Sequence, residues 1–430
     1  MKSKSMKEYA AILARWLLIA AVAGVSSAAI VAAFNGLLTR MIERSPGLIP
    51  RVPQLVPVLG ALLAGTLFLR WLPGTGGEGI PAYILGVNME KGKFRILDSV
   101  LKFPATFVTL GFHGSGGIVG PLARINAGIS SFLVERLFRP LRLGDQDYVR
   151  IAAICGVGGA VGAIFHAPLG GGIFAAEILH KDTMRYTDLF PSILSAAAAY
   201  FTSLHLLRQG PVFSVAAPSV SAAGTTLLWL PVVAVAAGAF GMIFIIVFER
   251  VYRLFRRLPL GQPAGALIGG LLICTVWSLG ARWILGTSMP LYRAIASGDL
   301  STMRFPAQLH GHLTILLAVI VAAKILATSF TVGSGMSGGF TGPLVIIGMG
   351  GGALMSSIVG IAPGSPAYFA FMACALAAVL GGAMNIPVAA IIITARMFGP
   401  QYIIPAIIGG LLSFLLFRAR TVYEYYSVSN

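Results

Sequence analysis

The chain of 430 residues is 57% hydrophobic and only 10% charged, with a mean hydropathy of +0.87. Soluble domains run near a quarter charged, so these values exclude a protein that is mostly water-soluble. The formal net charge of +17 raises nucleic acid as a partner, but the basic residues stand at segment ends and in short connections, without interleaved aromatics. That pattern is the positive-inside bias of a membrane protein, and no nucleic-acid partner is expected.

The chain opens with a basic leader, residues 1–8, which places the N-terminus in the cytoplasm. An apolar run from about Tyr9 to Leu38, broken only by Arg15 and Asn35, is too long for the core of a cleaved signal and predicts a retained, tilted first span. A second span is predicted over Leu55–Leu72. It is followed by the glycine-rich break Pro73-Gly74-Thr75-Gly76-Gly77-Glu78-Gly79-Ile80-Pro81 and a short apolar helix. Ile96–Phe112 reads as a further span despite Asp98 and Lys102.

The break Gly114-Ser115-Gly116-Gly117-Ile118-Val119-Gly120-Pro121 then opens an apolar helix to Leu133 that carries Arg124 and Asn126, with Glu135, Arg136, Arg139 and Arg142 at its exit. Apolar runs follow at about Val149–Phe165, Leu169–Leu179, Leu189–Leu207 and Leu227–Phe248. The basic cluster Glu249–Arg257 reads as a cytoplasmic loop. Later runs are Ala264–Leu279, Leu313–Phe330, Leu344–Val359, Ala367–Leu380, Pro387–Phe398 and Ile403–Leu416. Several are shorter than the roughly 20 residues a perpendicular crossing needs, so some helices are expected to cross only partly. Cys155, Cys274 and Cys374 each lie in an apolar run without a second cysteine or histidine at ligand spacing, and no metal or cofactor motif is present.

The stretch Gly333-Ser334-Gly335-Met336-Ser337-Gly338-Gly339-Phe340-Thr341-Gly342-Pro343 repeats the Gly114 break. Pro121 and Pro343 are 222 residues apart (343 − 121), and Pro168 and Pro387, each after a small-residue run, are 219 apart (387 − 168). This spacing predicts an internal duplication: a first membrane repeat over residues 9–215, a second over 216–418, and a segment 419–430 returning toward the pore. A proline in the first helical turn loses no hydrogen bond, and glycines before it let bare backbone approach another group. The helix that follows presents free N–H groups and a positive dipole end, which suits an anion. Interrupted helices at matching places in two inverted halves point to a midplane transport site. The fold class expected is an all-α polytopic membrane protein of two repeats. If the first half has an odd number of complete crossings, they are inverted-topology repeats, and their broken helices can meet at a mid-membrane anion site.

Gly77-Glu78-Gly79-Ile80-Pro81, Gly117-Ile118-Val119-Gly120-Pro121, Gly338-Gly339-Phe340-Thr341-Gly342-Pro343 and Thr421-Val422-Tyr423-Glu424 occur in an order and spacing that resemble the CLC chloride channel and transporter family. Phe165-His166-Ala167-Pro168-Leu169 is similar to its Asn-Ala-Pro-Leu element. The resemblance covers nearly the whole chain. It implies two inverted-topology repeats and a homodimer with one pathway per subunit for a small inorganic anion such as chloride, in a prokaryotic inner membrane and in contact with lipid. The family's large cytoplasmic nucleotide-binding modules are expected to be absent, since the chain ends soon after Tyr423. Carried over position by position, Phe340 and Thr341 would hold a central anion through backbone N–H groups, with Glu78, Gly79 and Ile80 beside it. Val119 and Gly120 would hold an outer anion, and Tyr423 would offer its phenol, the alternative for Tyr423 being an interfacial aromatic beside Tyr425 and Tyr426.

Two departures from the family pattern bear on mechanism. Its gate glutamate is replaced by Val119, which cannot ionise, and the inner proton-relay glutamate is absent, Ile178 following Glu177. Both favour passive conduction. Where the family has a small hydroxylic residue, this chain has Glu78. Desolvation and a bound anion oppose its ionisation, while helix N-termini and cations favour it. Protonated, it donates to the anion; ionised, it occupies the anion's place, giving pH dependence. The alternatives are that it points away and pairs with a base at the cytoplasmic mouth, or that it replaces the gate glutamate in a proton-coupled antiporter.

Glu177 and Arg396 fall at equivalent repeat positions, and either pair or mark helix ends. His113 and His166 are candidates for proton carriers or, as isolated histidines more often are, structural residues, while Arg124 and Lys324 add positive potential near the pathway. No catalytic residue is assigned. The competing class, an intramembrane serine protease, would need Ser115 or Ser334 within reach of His113, His310 or His312.

Overall fold

The computed structural model describes residues 6–138, 146–180, 184–219, 224, 226–259, 261–301, 303 and 311–424. Among them regular structure is helical, with one isolated bridge between Gly117 and Gly339. The helices are α1 (Met6–Arg44), α2 (Val56–Leu63), α3 (Ile80–Asn88), α4 (Ile96–Gly111), α5 (Val119–Phe138), α6 (Gln146–Phe165), α7 (Pro168–Glu177) and α8 (Tyr186–Phe201). They continue as α9 (Thr226–Arg257), α10 (Gln262–Ser278), α11 (Met289–Ser297), α12 (Leu313–Gly333), α13 (Thr341–Val359), α14 (Pro366–Met384), α15 (Pro387–Phe398) and α16 (Ile403–Phe417). Eight helical stretches among the described residues are long and apolar enough to cross a membrane. At 1.5 Å per residue the 39 residues of α1 extend about 58 Å, well beyond a hydrocarbon core of about 30 Å.

The chain forms two compact units. The first comprises residues 1–33, 82–100 and 122–212, the second residues 34–81, 101–121 and 213–430. In the first unit α6, α7 and α8 pack on small residues: a Cβ added at Gly171 would lie 2.5 Å from the Gly162 nitrogen. Arg150 on α6 and Asp188 on α8 form a bidentate pair of 2.7 and 2.6 Å. The planar fork matches the carboxylate, so neither charge is left bare. In the second unit α14 is the central helix, buried along nearly its whole length, and glycines on α13 set its approach. A Cβ at Gly352 would lie 2.6 Å from the Met372 Cα.

The duplication is visible in the hydrogen bonds of the second unit. Gly117 and Gly339, which occupy equivalent positions, bond to each other in both directions, each bond 2.7 Å. Mutual antiparallel bonding between equivalent residues is what a local two-fold through that point requires. Around it the pattern doubles. Gly77 donates to the Gly335 carbonyl (3.2 Å) and accepts from Gly338 (3.3 Å), while Gly286 donates to the His113 carbonyl (3.3 Å) and accepts from Gly116 (3.2 Å). Thr106 and Ser337 share a hydroxyl contact of 2.7 Å, and their counterparts Thr328 and Ser115 one of 3.1 Å. His166 and Asn385, each two residues before its repeat's proline, share a left-handed backbone, φ 51° and 60°.

Several boundaries differ from the sequence reading. The basic cluster Glu249–Arg257 is helical, forming the end of α9 rather than a loop. Contacts between residues four apart carry the helix through it: Arg253 reaches Glu249 at 3.9 Å, and the Arg256 guanidinium lies 6.0 Å from the Tyr252 ring. The predicted span Leu55–Leu72 is α2 followed by a wider-wound turn over Ala64–Leu69, and α11 has no counterpart among the predicted runs. The leader's first five residues, together with Arg139, Arg142, His310, Tyr425 and Tyr426, lie outside the described residues.

Candidate functional site

Three helix starts of the second unit converge on one carboxylate. Helices α3, α5 and α13 each begin after a glycine-rich break with a proline in the first turn. At α13 the N-cap is Phe340, whose side chain makes no capping bond, so the helix does not satisfy its own leading N–H groups. The cap comes from elsewhere in the chain. The Phe340 N–H donates to Glu78 Oε1 at 3.3 Å, and the Ile80 N–H donates to Glu78 Oε2 at 2.5 Å. Glu78 is fully buried. It neither points away nor reaches an exposed base; its two oxygens accept from N–H groups at the starts of α3 and α13.

Glycine is required at two adjoining places. Gly79 has φ +130°, and a Cβ there would also lie 2.5 Å from the Gly120 carbonyl oxygen. At Gly120, in the first turn of α5, a Cβ would overlap Glu78 Oε1. The predicted positions Glu78, Gly79, Ile80, Gly120 and Phe340 thus share one small volume. Val119 is fully buried at the start of α5.

Lys102 on α4, also buried, holds the loop from behind. Its ammonium donates to the carbonyls of Thr75 (3.3 Å), Gly76 (3.0 Å) and Gly77 (3.1 Å), and lies within electrostatic reach of the Glu78 carboxylate. Isolated burial of a carboxylate costs several kcal/mol. Two backbone bonds to a charged acceptor, at about 1.5–3 kcal/mol each, are of the size that offsets this. The sequence reading noted Lys102 only as a charge inside a span. The repeat spacing would have found it, since Lys102 precedes Pro121 by the same interval as Lys324 precedes Pro343.

Tyr423 arrives from the C-terminal segment. Thr421 Oγ1 and the Val422 N–H both donate to the Ala383 carbonyl at the end of α14, at 3.2 and 2.9 Å, and Tyr423 is set beside Phe340, ring centroids 6.4 Å apart. Phe340 packs edge-on against Phe244 and Phe248 of α9, at 5.5 and 4.7 Å. The Tyr423 phenol lies beside the Thr341 hydroxyl and within electrostatic reach of Glu78.

Other flagged residues have different surroundings. Lys324 on α12 is buried and donates to Ser115 Oγ (2.9 Å), the Ile284 carbonyl (2.9 Å) and Ser288 Oγ (2.7 Å). This is the repeat's counterpart of the Lys102 clamp, on the break before α11. Arg124, in the first unit, donates to Ser99 (2.7 Å) and lies 4.4 Å from the Phe94 ring centroid. His113 packs edge-on against Trp277 at 4.8 Å, and His166 against Tyr200 at 5.3 Å. Glu177 ends α7 and Arg396 lies in the last turn of α15. Ser115 Oγ bonds within the Lys324 cluster and Ser334 Oγ bonds the Thr331 carbonyl (2.8 Å). His312 precedes α12 at an exposed position. Among the described residues, neither serine meets a histidine, so the geometry a serine protease needs is not found.

A membrane bundle with two inverted repeats, three of whose severed helices start around one buried carboxyl group, is the architecture of a transporter or channel for anions. The voltage-gated chloride channel profile matches residues 60–418, and the chain belongs to that family. It is similar to the voltage-gated ClC-type chloride channel ClcB of Salmonella typhi, 26% identical over 92% of this chain and 93% of that one. A chloride/fluoride channel protein of Pseudomonas syringae is 24% identical over 82% and 77%. An uncharacterized protein of Methanocaldococcus jannaschii is 25% identical over 86% and 87%. Among solved structures, a CLC-type fluoride/proton antiporter superposes with a TM-score of 0.78 at 22% identity, covering 98% of this chain and 99% of that one. A slow cyanobacterial chloride/proton antiporter gives 0.77 at 20%, covering 96% and 97%.

Proposed function

We propose that the protein conducts a small inorganic anion of the halide class passively, through one pathway in each subunit of a homodimer in a prokaryotic inner membrane, its N-terminus in the cytoplasm. In this reading the two membrane repeats, 9–215 and 216–418, meet at the site, and the segment from 419 supplies Tyr423. The observation that carries it is the seating of the Glu78 carboxylate on the N–H groups of Ile80 and Phe340, donors whose other partner is the permeating anion. Ionised, Glu78 is a tethered competitor for the seat. Protonated, it gives up that claim and offers a hydrogen bond. Val119 at the gate position and Ile178 after Glu177 hold no proton, which supports passive flow over obligatory exchange.

A second reading is proton-coupled antiport with Glu78 as the proton carrier. The same seating favours it, since a carboxylate that must leave for an anion to enter can exchange one proton per anion. Relatives bear chloride channel and chloride/fluoride channel names, while the two solved structures are titled proton antiporters. The experiment is anion efflux from liposomes holding purified protein, with a proton gradient imposed. Flux down its own gradient only is the expected result. Uphill anion movement driven by protons would replace the channel reading with the antiporter, and absence of flux with any halide would remove both.

A further inference from the structure

We propose that the last turns of α9 form a binding surface for the phosphate headgroups of anionic phospholipids. The inference goes beyond the transport reading and stands or falls apart from it. Between Trp229 and Glu249 the helix carries no charged residue, a stretch of 19 residues (248 − 229) that rises about 29 Å, close to the thickness of a hydrocarbon core. Trp229, 44% exposed, stands at one edge of that stretch, as an interfacial aromatic does. Arg250, Arg253, Arg256 and Arg257 follow its other edge, all four exposed, at the depth of the lipid phosphates.

Helical spacing sets three of these arginines together. Arg250, Arg253 and Arg257 share one face with Leu254, which is 62% exposed. Guanidinium groups around an uncovered apolar side chain suit the headgroup level of a bilayer, where the arginines meet phosphates and the leucine enters the acyl boundary. The opposite face is fixed to the protein. A Cβ added at Gly333 would lie 3.1 Å from Val251 Cγ1, one at Gly265 would lie 3.8 Å from Phe255 Cδ1, and Tyr252 stacks on Phe248 at 5.9 Å. The arginines therefore stand on a packed helix, not on a fraying end. Among the described residues, the carboxylate within ion-pair distance of them is that of Glu249, 3.9 Å from Arg253. The helix dipole accounts for cations in the last turn, Arg256 and Arg257, but not for Arg253 and Arg250, one and two turns earlier. Planar guanidinium forks match phosphate oxygens in pairs, and at this depth the phosphates belong to lipid.

The test uses purified full-length protein in detergent, titrated with phosphatidylglycerol, phosphatidylcholine or glycerol 3-phosphate. Bound lipid is counted by native mass spectrometry, and the melting temperature is followed in parallel. Phosphatidylglycerol should bind and raise the melting temperature, the other two should not, and high salt should weaken the effect. The triple variant Arg250→Gln, Arg253→Gln, Arg257→Gln should bind phosphatidylglycerol about a hundredfold more weakly, about fivefold for each arginine, the size expected of a basic residue at an anionic lipid surface. Its lipid-free melting temperature should hold, because all three side chains are exposed. A control triple at exposed arginines elsewhere, Arg40→Gln, Arg44→Gln, Arg51→Gln, should bind as the wild type does. Wild-type affinity in the first triple, or an equal loss in the control, would overturn the proposal. So would protection by glycerol 3-phosphate equal to that by lipid, which would mark a site for free phosphate. If the first triple melts lower without lipid, Leu254→Ser decides: it keeps every charge and should bind several-fold more weakly, and wild-type affinity there would overturn the surface.

Discussion

The carboxylate of Glu78 caps the helix that begins beside Phe340, 262 residues further along the chain, through a hydrogen bond of 3.3 Å. A helix start that lacks a capping side chain of its own takes its cap from a loop in the other repeat. That cap is a carboxyl group, so the seat carries an ionisable side chain among its backbone donors.

Glu78→Gln should preserve the side chain's shape and remove its charge. Under the conducting reading, wild-type flux rises as pH falls, because protonation withdraws the competitor, and the variant is pH-insensitive and several-fold faster at pH 7. Chloride efflux from liposomes across a pH series measures this. A variant that tracks the wild type at every pH would show that the carboxylate does not govern passage.

Val119→Glu places an ionisable group at the buried start of α5. Here it adds a second competitor, so neutral-pH flux should fall and acid should restore it. Combining it with Glu78→Gln should leave the acid response in place, now owing to position 119 alone. Single-channel or efflux records that ignore Val119→Glu would place this helix start off the route of the ion.

Gly120→Ala inserts a methyl group onto Glu78 Oε1. Overpacking of this kind costs about 1–3 kcal/mol when the neighbour cannot retreat. The melting temperature and the yield of monodisperse protein should drop. Adding Glu78→Ser, which withdraws the obstructing oxygens, should recover both. If the double variant is no better than the single, the conflict lies with backbone rather than with the carboxylate.

Lys102→Met and Lys324→Met each remove a buried ammonium that donates to three acceptors. Losing hydrogen bonds from a charged donor costs about 1.5–3 kcal/mol for a typical bond, so both variants should melt at lower temperature. Their effects on transport should differ, because only Lys102 holds the loop that carries Glu78. Calorimetric halide titration of both variants in the same detergent should find affinity altered in the Lys102 variant and near normal in the other.

Much of this architecture can be read along the chain, because it depends on local composition. The apolar runs set helix lengths, the Gly-Pro pairs set where helices α5 and α13 start, and the constant interval from Pro121 to Pro343 announces a repeat. Other features depend on which distant segments touch. Whether Glu78 points inward is decided by Phe340 and Gly120; the use of Lys102 depends on three carbonyls some 25 residues before it. The placement of Tyr423 beside Phe340 and Thr341 needs the C-terminal segment anchored on Ala383. Helix α9 runs on through a basic cluster because contacts four residues apart outweigh the charge pattern. Local preference ranks a residue's conformations, but a buried charge or hydroxyl takes its role from the partners that close packing brings to it, and only the folded chain supplies them.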